Sequence, residues 1–393
     1  MTSVIKLFGN SAQTFFVILF LVLFLSSCSS LSSLKFWGND ELDSDEPRPL
    51  QEISNIKNIK MDWNLSFAGE NFLGNFVPAF SANNIFFADA TGQIKSINPS
   101  KGKINWEQKI NSLSSGIASG FGILVVADID GNVISLNQTD GSILWSTNVK
   151  GEVLAPTAIS TKLVIVKTGS GELLALDRDN GSIIWSYRSK LPSLTIRGSS
   201  SPVIEDDKVY VSFDNGRLGV FELDSGFPVW DGAISFTEGV SELDNLIDAD
   251  SSPILEGNRI YTVNFQGNLS VFDAAQRRPV WESKESSFYE PFILRGVLGI
   301  ISADSKISTY SSRTFEDSWK LEEYALRELS NPETFKGYIL VGDLEGYIHA
   351  IDPLTGITVA RKKISRNKIT TLISRSDSFY AIDEKMRLFS LSF

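Results

Sequence analysis

The sequence predicts an all-β fold, an eight-bladed β-propeller of four-stranded antiparallel blades, and one recurring interval carries most of that prediction. A turn residue, usually glycine, is followed fourteen residues later by tryptophan. Five copies keep both residues, and they are Gly92 with Trp106, Gly131 with Trp145, Gly171 with Trp185, Gly216 with Trp230, and Gly267 with Trp281. Two weaker copies are Ser305 with Trp319 and Gly346 with Ala360. Because one interval recurs along most of the chain, we expect a repeat architecture.

Each repeat contains the signals of four short strands. In residues 214–234, a turn at Asp214 to Gly216 precedes alternating apolar residues, and a second turn precedes the strand that carries Trp230. The second turn recurs as "NPSKG", "NQTDG", "DRDNG" and "DPLTG". An Asn or Asp side chain can bond the turn backbone, and the glycine takes the positive φ that closes a hairpin. With a second apolar pair upstream, each repeat of roughly 40 residues has the content of a propeller blade.

The ring is predicted to close by pairing strands from the two ends of the propeller. Eight outer strands are marked by Trp63, Trp106, Trp145, Trp185, Trp230, Trp281, Trp319 and Ala360. Trp63 has no turn and strand before it, whereas Met386 to Phe393 has no tryptophan strand after it. Pairing these two segments hides the edges that an open array exposes. We therefore predict one propeller domain over residues 58–393, in which the tryptophans pack blade against blade.

The N-terminal region has the features of a lipoprotein signal. Residues 1–27 contain an apolar core, Phe15 to Leu25, which is too short for an ordinary membrane span and fits a secretory signal. Leu25-Ser26-Ser27-Cys28 then resembles the bacterial lipobox, in which the cysteine is lipidated. Cys28 is the only cysteine, so no internal disulfide can form. Ser29 stands where lipoproteins retained in the inner membrane often carry Asp, and this resemblance implies an outer-membrane lipid anchor that faces the periplasm of a Gram-negative bacterium.

Residues 28–57 are predicted to form a lipidated, flexible and acidic tether. "SSLSSL" is typical of a flexible linker, and "NDELDSDEPRP" is acidic and contains two prolines. Phe36-Trp37 interrupts this polarity, as a contact with lipid headgroups or as a clip for a partner.

Composition excludes several functional classes. The formal net charge is −11 and no basic stripe occurs, which argues against nucleic-acid binding. The sequence has no Cys or His cluster for zinc and no glycine-rich phosphate loop, so we expect no metal, no cofactor and no catalytic residue. The single histidine is His349, and its equivalents in other repeats are Lys95, Ile134, Leu174, Gly219, Ser270 and Ser308. That variety predicts a structural role for His349.

The blade "GELLALDRDNGSIIW" resembles the repeat of PQQ-dependent enzymes, and the likeness covers nearly all of residues 58–393. Quinoprotein dehydrogenases of that class use calcium, an acidic base and often a pair of adjacent cysteines, and the cysteine pair is absent here. Lipobox, tether and ring together are similar to the propeller lipoproteins of the outer-membrane β-barrel assembly machinery. This resemblance implies a non-enzymatic scaffold that assists assembly and insertion of outer-membrane proteins. Whether unfolded outer-membrane proteins add strands to blade edges stays open.

The same resemblance implies two docking segments for the periplasmic domains of the central barrel protein. It implicates Leu194, Ile196 and Arg197 in "LPSLTIRGSSSP", where Ile196 replaces a more usual Leu, and Asp248 and Asp250 in "LIDADSSPI". These segments fall in the two longest intervals between tryptophans, 45 and 51 residues, and extra length in a propeller goes into loops. When the segments are aligned on Ser-Ser-Pro, Arg197 and Asp248 are equivalent, so we expect them on one rim in neighbouring blades. A salt bridge between them across the blade junction is the alternative.

Two other functions remain open from the sequence. One is a PQQ-dependent quinoprotein dehydrogenase, which the repeat itself suggests. The other is a periplasmic propeller that binds a glycan or peptide in its central channel.

Overall fold

The computed structural model describes residues 46–67, 76–190, 200–234, 251–264 and 268–393. Over these ranges 32 strands pair into eight four-stranded antiparallel sheets. The same ranges contain no α-helix, and so no helix long and apolar enough to cross a membrane. The predicted fold class, an all-β eight-bladed propeller, is confirmed.

The first strand of each blade lies at the centre of the ring, because first strands of neighbouring blades contact one another. We number the blades 1 to 8 in the order of these strands. They are β2 (Ala79–Phe80), β6 (Ala118–Gly120), β10 (Ala158–Ile159), β14 (Val203–Glu205), β18 (Ile254–Glu256), β22 (Phe292–Leu294), β26 (Glu333–Phe335) and β30 (Ile369–Arg375).

The second and third strands form the buried middle of each blade, because most of their residues are shielded by the neighbouring blades. The second strands are β3 (Ile85–Ala88), β7 (Ile123–Ala127), β11 (Leu163–Lys167), β15 (Lys208–Phe213), β19 (Arg259–Val263), β23 (Val297–Ile301), β27 (Tyr338–Gly342) and β31 (Ser378–Asp383). The third strands are β4 (Gln93–Ile97), β8 (Asn132–Asn137), β12 (Glu172–Asp177), β16 (Arg217–Glu222), β20 (Leu269–Asp273), β24 (Ile307–Ser311), β28 (Tyr347–Ile351) and β32 (Arg387–Ser392). Side chains between blades therefore form the core.

The fourth strands are outermost and carry the repeated tryptophan. In blades 1 to 7 they are β5 (Ile104–Lys109), β9 (Ile143–Asn148), β13 (Ile183–Arg188), β17 (Pro228–Ala233), β21 (Arg278–Ser283), β25 (Asp317–Leu321) and β29 (Thr358–Lys363). The fourth strand of blade 8 is β1 (Lys60–Ser66), which pairs with β32 so that Trp63 faces Ser390. The predicted closure of the ring by its two terminal strands is confirmed.

The tryptophans connect each blade to the next one. The indole Nε1 of Trp145 donates a hydrogen bond to the carbonyl of Arg178, 2.7 Å away in blade 3. Its ring lies on Gly181 of the same turn, where φ is +75° and an added Cβ would come within 2.5 Å of the ring. Only glycine satisfies both conditions at that position. The same hydrogen bond recurs for Trp63, Trp106, Trp185 and Trp319.

Blade 7 departs from this pattern because the blade that follows it has no turn between its third and fourth strands. Those strands, β32 and β1, come from opposite ends of the chain, so a tryptophan at position 360 has no turn to contact. Ala360 is buried there in a cluster that includes Ile59, Phe335 and Phe379. The weak seventh copy of the repeat thus reflects the closure of the ring.

Candidate partner-binding site

The ring has two faces that different connections occupy. The connector face holds the links between blades and the turns between second and third strands, as the hydrogen bond from the Leu344 amide to the Arg327 carbonyl shows. The turn face holds the remaining turns, which bond to each other in the same way, for example through the Arg178 amide and the Lys162 carbonyl. The two predicted docking segments belong to links between blades, and the described ends of these links lie on the connector face.

Carboxylates close the turns of the connector face in blades 1, 2, 7 and 8. The Oδ1 of Asp128 accepts hydrogen bonds from the amides of Asp130 and Asn132, at 3.0 and 2.9 Å. Asp89, Asp343 and Asp383 accept the same pair of backbone bonds. These acids thus have a local structural reason to recur near turns.

All the predicted functional residues lie outside the part of the chain that the structure describes. They are Cys28, Leu194, Ile196, Arg197, Asp248 and Asp250. The described residues on either side nevertheless locate the two segments. Strand β13 ends at Arg188 and β14 begins at Val203, whereas β17 ends at Ala233 and β18 begins at Ile254. The two longest blade intervals therefore owe their length to the links from blade 3 to blade 4 and from blade 4 to blade 5.

The ends of the two segments are joined to each other. The amide of Ser201 donates a hydrogen bond to Oγ of Ser252, 3.0 Å away, across the junction between blades 4 and 5. The amide of Ser252 donates in turn to Glu290, in the link to blade 6. Ser201 and Ser252 occupy the same place in the aligned Ser-Ser-Pro sequences. The structure therefore places the described ends of the two segments in neighbouring blades, at equivalent positions before the first strand.

A buried lysine contacts the C-terminal end of the first segment. Lys167 Nζ lies 2.6 Å from Oγ of Ser200, 3.0 Å from the carbonyl of Ser212 and 3.4 Å from Oδ1 of Asp214. Both side chains of the Lys167–Asp214 ion pair are almost fully buried. At the other end of the segment, Asn215 donates to the carbonyl of Lys190. A buried charge is costly unless it is paired and hydrogen-bonded, so Lys167 requires these partners. The contacts of Lys167 and Asn215 hold the two ends of the link.

A second polar cluster lies on the connector face of blade 7, around the histidine. Nε2 of His349 is 3.1 Å from Oδ2 of Asp343, and Nδ1 accepts a hydrogen bond from Nε of Arg361 at 3.0 Å. Arg327 donates to the same Asp343 oxygen from Nη2 and Nε, at 2.8 and 3.1 Å. His349 and Asp343 are completely buried, and Arg327 nearly so.

Burial and the neighbouring charges set the protonation of this cluster. Burial lowers the pKa of His349 below its ordinary 6.5, and the positive charges of Arg361 and Arg327 act in the same direction, against the opposing effect of Asp343. Burial alone would raise the pKa of Asp343, but hydrogen bonds from His349, the Tyr347 amide and Arg327 keep that pKa below its ordinary value. The pair is therefore a neutral imidazole beside a carboxylate.

The sequence did not identify Arg327 and Arg361 as members of a cluster. One signal was available, since Arg361 directly follows the tryptophan position and therefore pairs across the strands with the histidine position. The sequence-based prediction that His349 has a structural role remains a prediction. Within the described ranges, this cluster included, no group of three or more His, Cys, Asp or Glu side chains is placed to hold a metal ion.

Comparison with known proteins identifies the family. A family model described as "Outer membrane protein assembly factor BamB" matches residues 90–321. The outer membrane protein assembly factor BamB of Burkholderia pseudomallei is 29% identical over 327 residues, which cover 82% of this chain and 85% of that protein. The crystal structure of BamB from Moraxella catarrhalis has a TM-score of 0.79 at 24% identity, and the match covers 86% of this chain and 100% of that one.

Quinoprotein enzymes share the fold at much lower identity. A europium-containing methanol dehydrogenase gives a TM-score of 0.69 at 12% identity, over 88% of this chain and 95% of the enzyme. A likeness at that identity extends to the propeller and to nothing beyond it. The family model, in contrast, covers more than half of the chain. The protein belongs to the family of the outer membrane protein assembly factor BamB.

Proposed function

We propose that this protein is a non-enzymatic scaffold of the outer-membrane β-barrel assembly machinery. It binds the periplasmic domains of the central barrel protein, a BamA-like protein, and so assists assembly and insertion of outer-membrane proteins. A lipid on Cys28 anchors it to the outer membrane, facing the periplasm. Family membership carries the general assignment. The observation that supports a binding site is the pair of long links whose ends are joined on the connector face.

The chemistry of the two segments fits a protein interface. Leu194 and Ile196 supply apolar groups beside Arg197, and Asp248 and Asp250 supply opposite charge from the next blade. Apolar anchors beside an arginine are typical of interface residues that carry most of the binding energy. The joined ends favour one composite surface over two independent loops, because the hydrogen bond between Ser201 and Ser252 holds the described ends of the segments together.

Capture of the partner tests this assignment. Arg197→Glu should abolish recovery of the barrel protein from solubilised membranes, and so should the double change Leu194→Ala with Ile196→Ala. An interfacial charge that loses its partner costs about 2–5 kcal/mol, which is enough to lose capture. Arg313→Glu is the matched control, since Arg313 is exposed and lies in a turn on the opposite face.

Thermal stability separates the interface from an internal salt bridge. If Arg197 pairs only with Asp248, Arg197→Glu should lower the melting temperature, and a further Asp248→Arg should restore it. If every variant captures the barrel protein as well as the parent does, the docking assignment is wrong.

The dehydrogenase alternative makes the opposite prediction about cofactors. A ligand that binds only the folded state raises the melting temperature. For a scaffold, calcium with PQQ should leave the melting temperature of the protein unchanged, and dye reduction with alcohols should stay at background. A shift of several degrees at micromolar PQQ would support the enzyme instead.

A further inference from the structure

An N-terminal arm, residues 47–57, lies against the ring before the chain enters β1. The Arg48 amide donates to the carbonyl of Ala325 at 3.1 Å, and the amides of Ile56 and Lys57 donate to the carbonyl of Val359 at 2.8 and 3.2 Å. The compact unit that contains the propeller accordingly begins at Pro47. The predicted tether included this arm, whose hydrogen bonds hold it on blade 7.

Two arginines of the buried cluster hold the arm from the protein side. Nη1 of Arg327 donates to the carbonyl of Arg48 at 2.9 Å, and Nη1 of Arg361 donates to the carbonyl of Gln51. The amide of Arg361 also donates to Oδ1 of Asn55 at 2.8 Å. The arm thus depends on guanidinium groups that the ring must keep in place.

The position of Arg361 depends on the protonation state of His349. Nδ1 of the imidazole accepts a hydrogen bond from Nε of Arg361, so this nitrogen carries no proton, and Nε2 carries the proton that faces Asp343. A second proton on His349 would point an N–H at the N–H of Arg361 and place two positive charges side by side. His349 is fully buried and has no space to turn away, whereas Arg361 is only partly buried and can move.

We propose that His349 is a pH-dependent latch for the N-terminal arm, in which protonation of the imidazole displaces Arg361 and frees the arm from blade 7. The titratable and charged groups that face this latch are Asp343, Glu345 and Tyr347 from the turn and β28, Arg361 from β29, and Glu323, Tyr324 and Arg327 from the link between blades 6 and 7. Tyr324 stays neutral because burial raises its pKa. Burial and the two arginines hold the pKa of His349 below its ordinary value, and His349 is the member of this group that gains a positive charge as the pH falls.

Release of the arm changes the reach of the propeller. An extended chain covers up to about 3.5 Å per residue, so freeing residues 47–57 adds roughly 35–40 Å to whatever precedes them. With the N-terminus anchored as proposed above, the latch sets how far the ring can move from the membrane. The latch itself does not depend on that anchor, because all of its contacts lie within the ring and the arm.

Two measurements on the same protein test the latch. The chain has a single histidine, so the NMR signal of the imidazole carbons reports His349 alone. Hydrogen exchange of the Arg48, Ile56 and Lys57 amides reports the arm. As the pH is lowered from about 7.5, we expect the histidine to titrate below its ordinary pKa and the arm amides to lose at least tenfold of their protection at the same midpoint. Amides of β11 should keep theirs.

Variants complete the test. His349→Gln offers a neutral donor and acceptor at every pH, so its arm should stay protected in acid, and comparison at equal pH cancels the intrinsic exchange rates. Arg361→Ala should expose the arm amides at both ends of the pH range. An arm that stays protected while His349 titrates would overturn the latch. So would a histidine that does not titrate before the protein unfolds, or equal loss of protection in His349→Gln and the parent.

Discussion

Blade 3 and blade 7 pack against the blades that follow them in different ways. In blade 3, Trp185 donates to the carbonyl of Leu223 at 2.9 Å, and its ring lies on Gly226 of the blade 4 turn. In blade 7, Ala360 takes the place of the tryptophan, and a charged cluster with the N-terminal arm lies nearby. The difference shows that the role of the tryptophan is to contact the turn of the next blade. Its loss therefore marks a neighbour that lacks the usual turn.

The largest effect should come from breaking the closure itself. Deletion of residues 386–393 removes β32, and with it the buried side chains of Met386, Leu388, Phe389 and Leu391 and the pairing with β1. Each buried apolar side chain contributes about 1.5–3 kcal/mol, so we expect the whole ring to lose several kcal/mol and to melt far below the parent. Thermal melting followed by circular dichroism measures this. A truncated protein with the parental melting temperature would disprove closure by the terminal strands.

The next effect separates the charged blade from an ordinary one. Asp343→Ala leaves the nearly buried Arg327 with only the half-exposed Glu345 as a partner, so we expect a loss near the lower end of the about 3–5 kcal/mol that removing one partner of a buried ion pair costs. Asp89→Ala is the matched change in blade 1, where the carboxylate caps the same turn and its Oδ2 has no partner among the described residues. We expect this control to lose only about 1–2 kcal/mol. Equal losses in urea unfolding would mean that the blade 7 cluster adds no stability.

A smaller effect should appear where a tryptophan lies on a glycine. Gly181→Ala places a Cβ against the Trp145 ring at a positive φ, and we expect a loss of about 1–3 kcal/mol. Gly257→Ala is the control, because Gly257 also has a positive φ, of +59°, but no atom within 4 Å of the added Cβ. The difference between the two variants measures the steric contact alone. If both variants unfold at the same urea concentration, the close approach of the ring has no energetic weight.

The smallest effect is a dependence of stability on pH. Because the pKa of His349 is lower in the folded state, the unfolded chain binds the extra proton first as pH falls below about 6.5. The stability associated with His349 is full above that pH and decreases as pH drops toward the folded-state pKa. His349→Gln should flatten this part of the urea-derived stability curve. The loss due to Asp343 belongs to a more acidic range, below its ordinary 3.8, and should remain in that variant.

The repeat made the ring and its closure predictable, because the tryptophan and the turn glycine report a contact that recurs in most blades. The N-terminal arm was not predictable in the same way. Its composition is that of a flexible segment, and its partners Arg327 and Arg361 lie 279 and 310 residues further along the chain. A local sequence pattern gives no information about a contact between residues so far apart in the sequence. The variety of residues at the His349 position suggested that many side chains are tolerated there. In the structure, His349 of blade 7 instead contacts Asp343 and Arg361.

Pairing of β1 with β32 also governs when this protein can become a folded molecule. Contacts such as that between Asp62 and Ser392 join residues 330 apart in sequence, and long-range pairing of this kind makes folding slow. The outer strand of blade 8, β1, is synthesised early, but its partner β32 is complete only when the chain has been synthesised almost to residue 392. Blade 8 contains the first strand of the ring and is also the last blade to be completed. The ring therefore stays open while the chain is being synthesised.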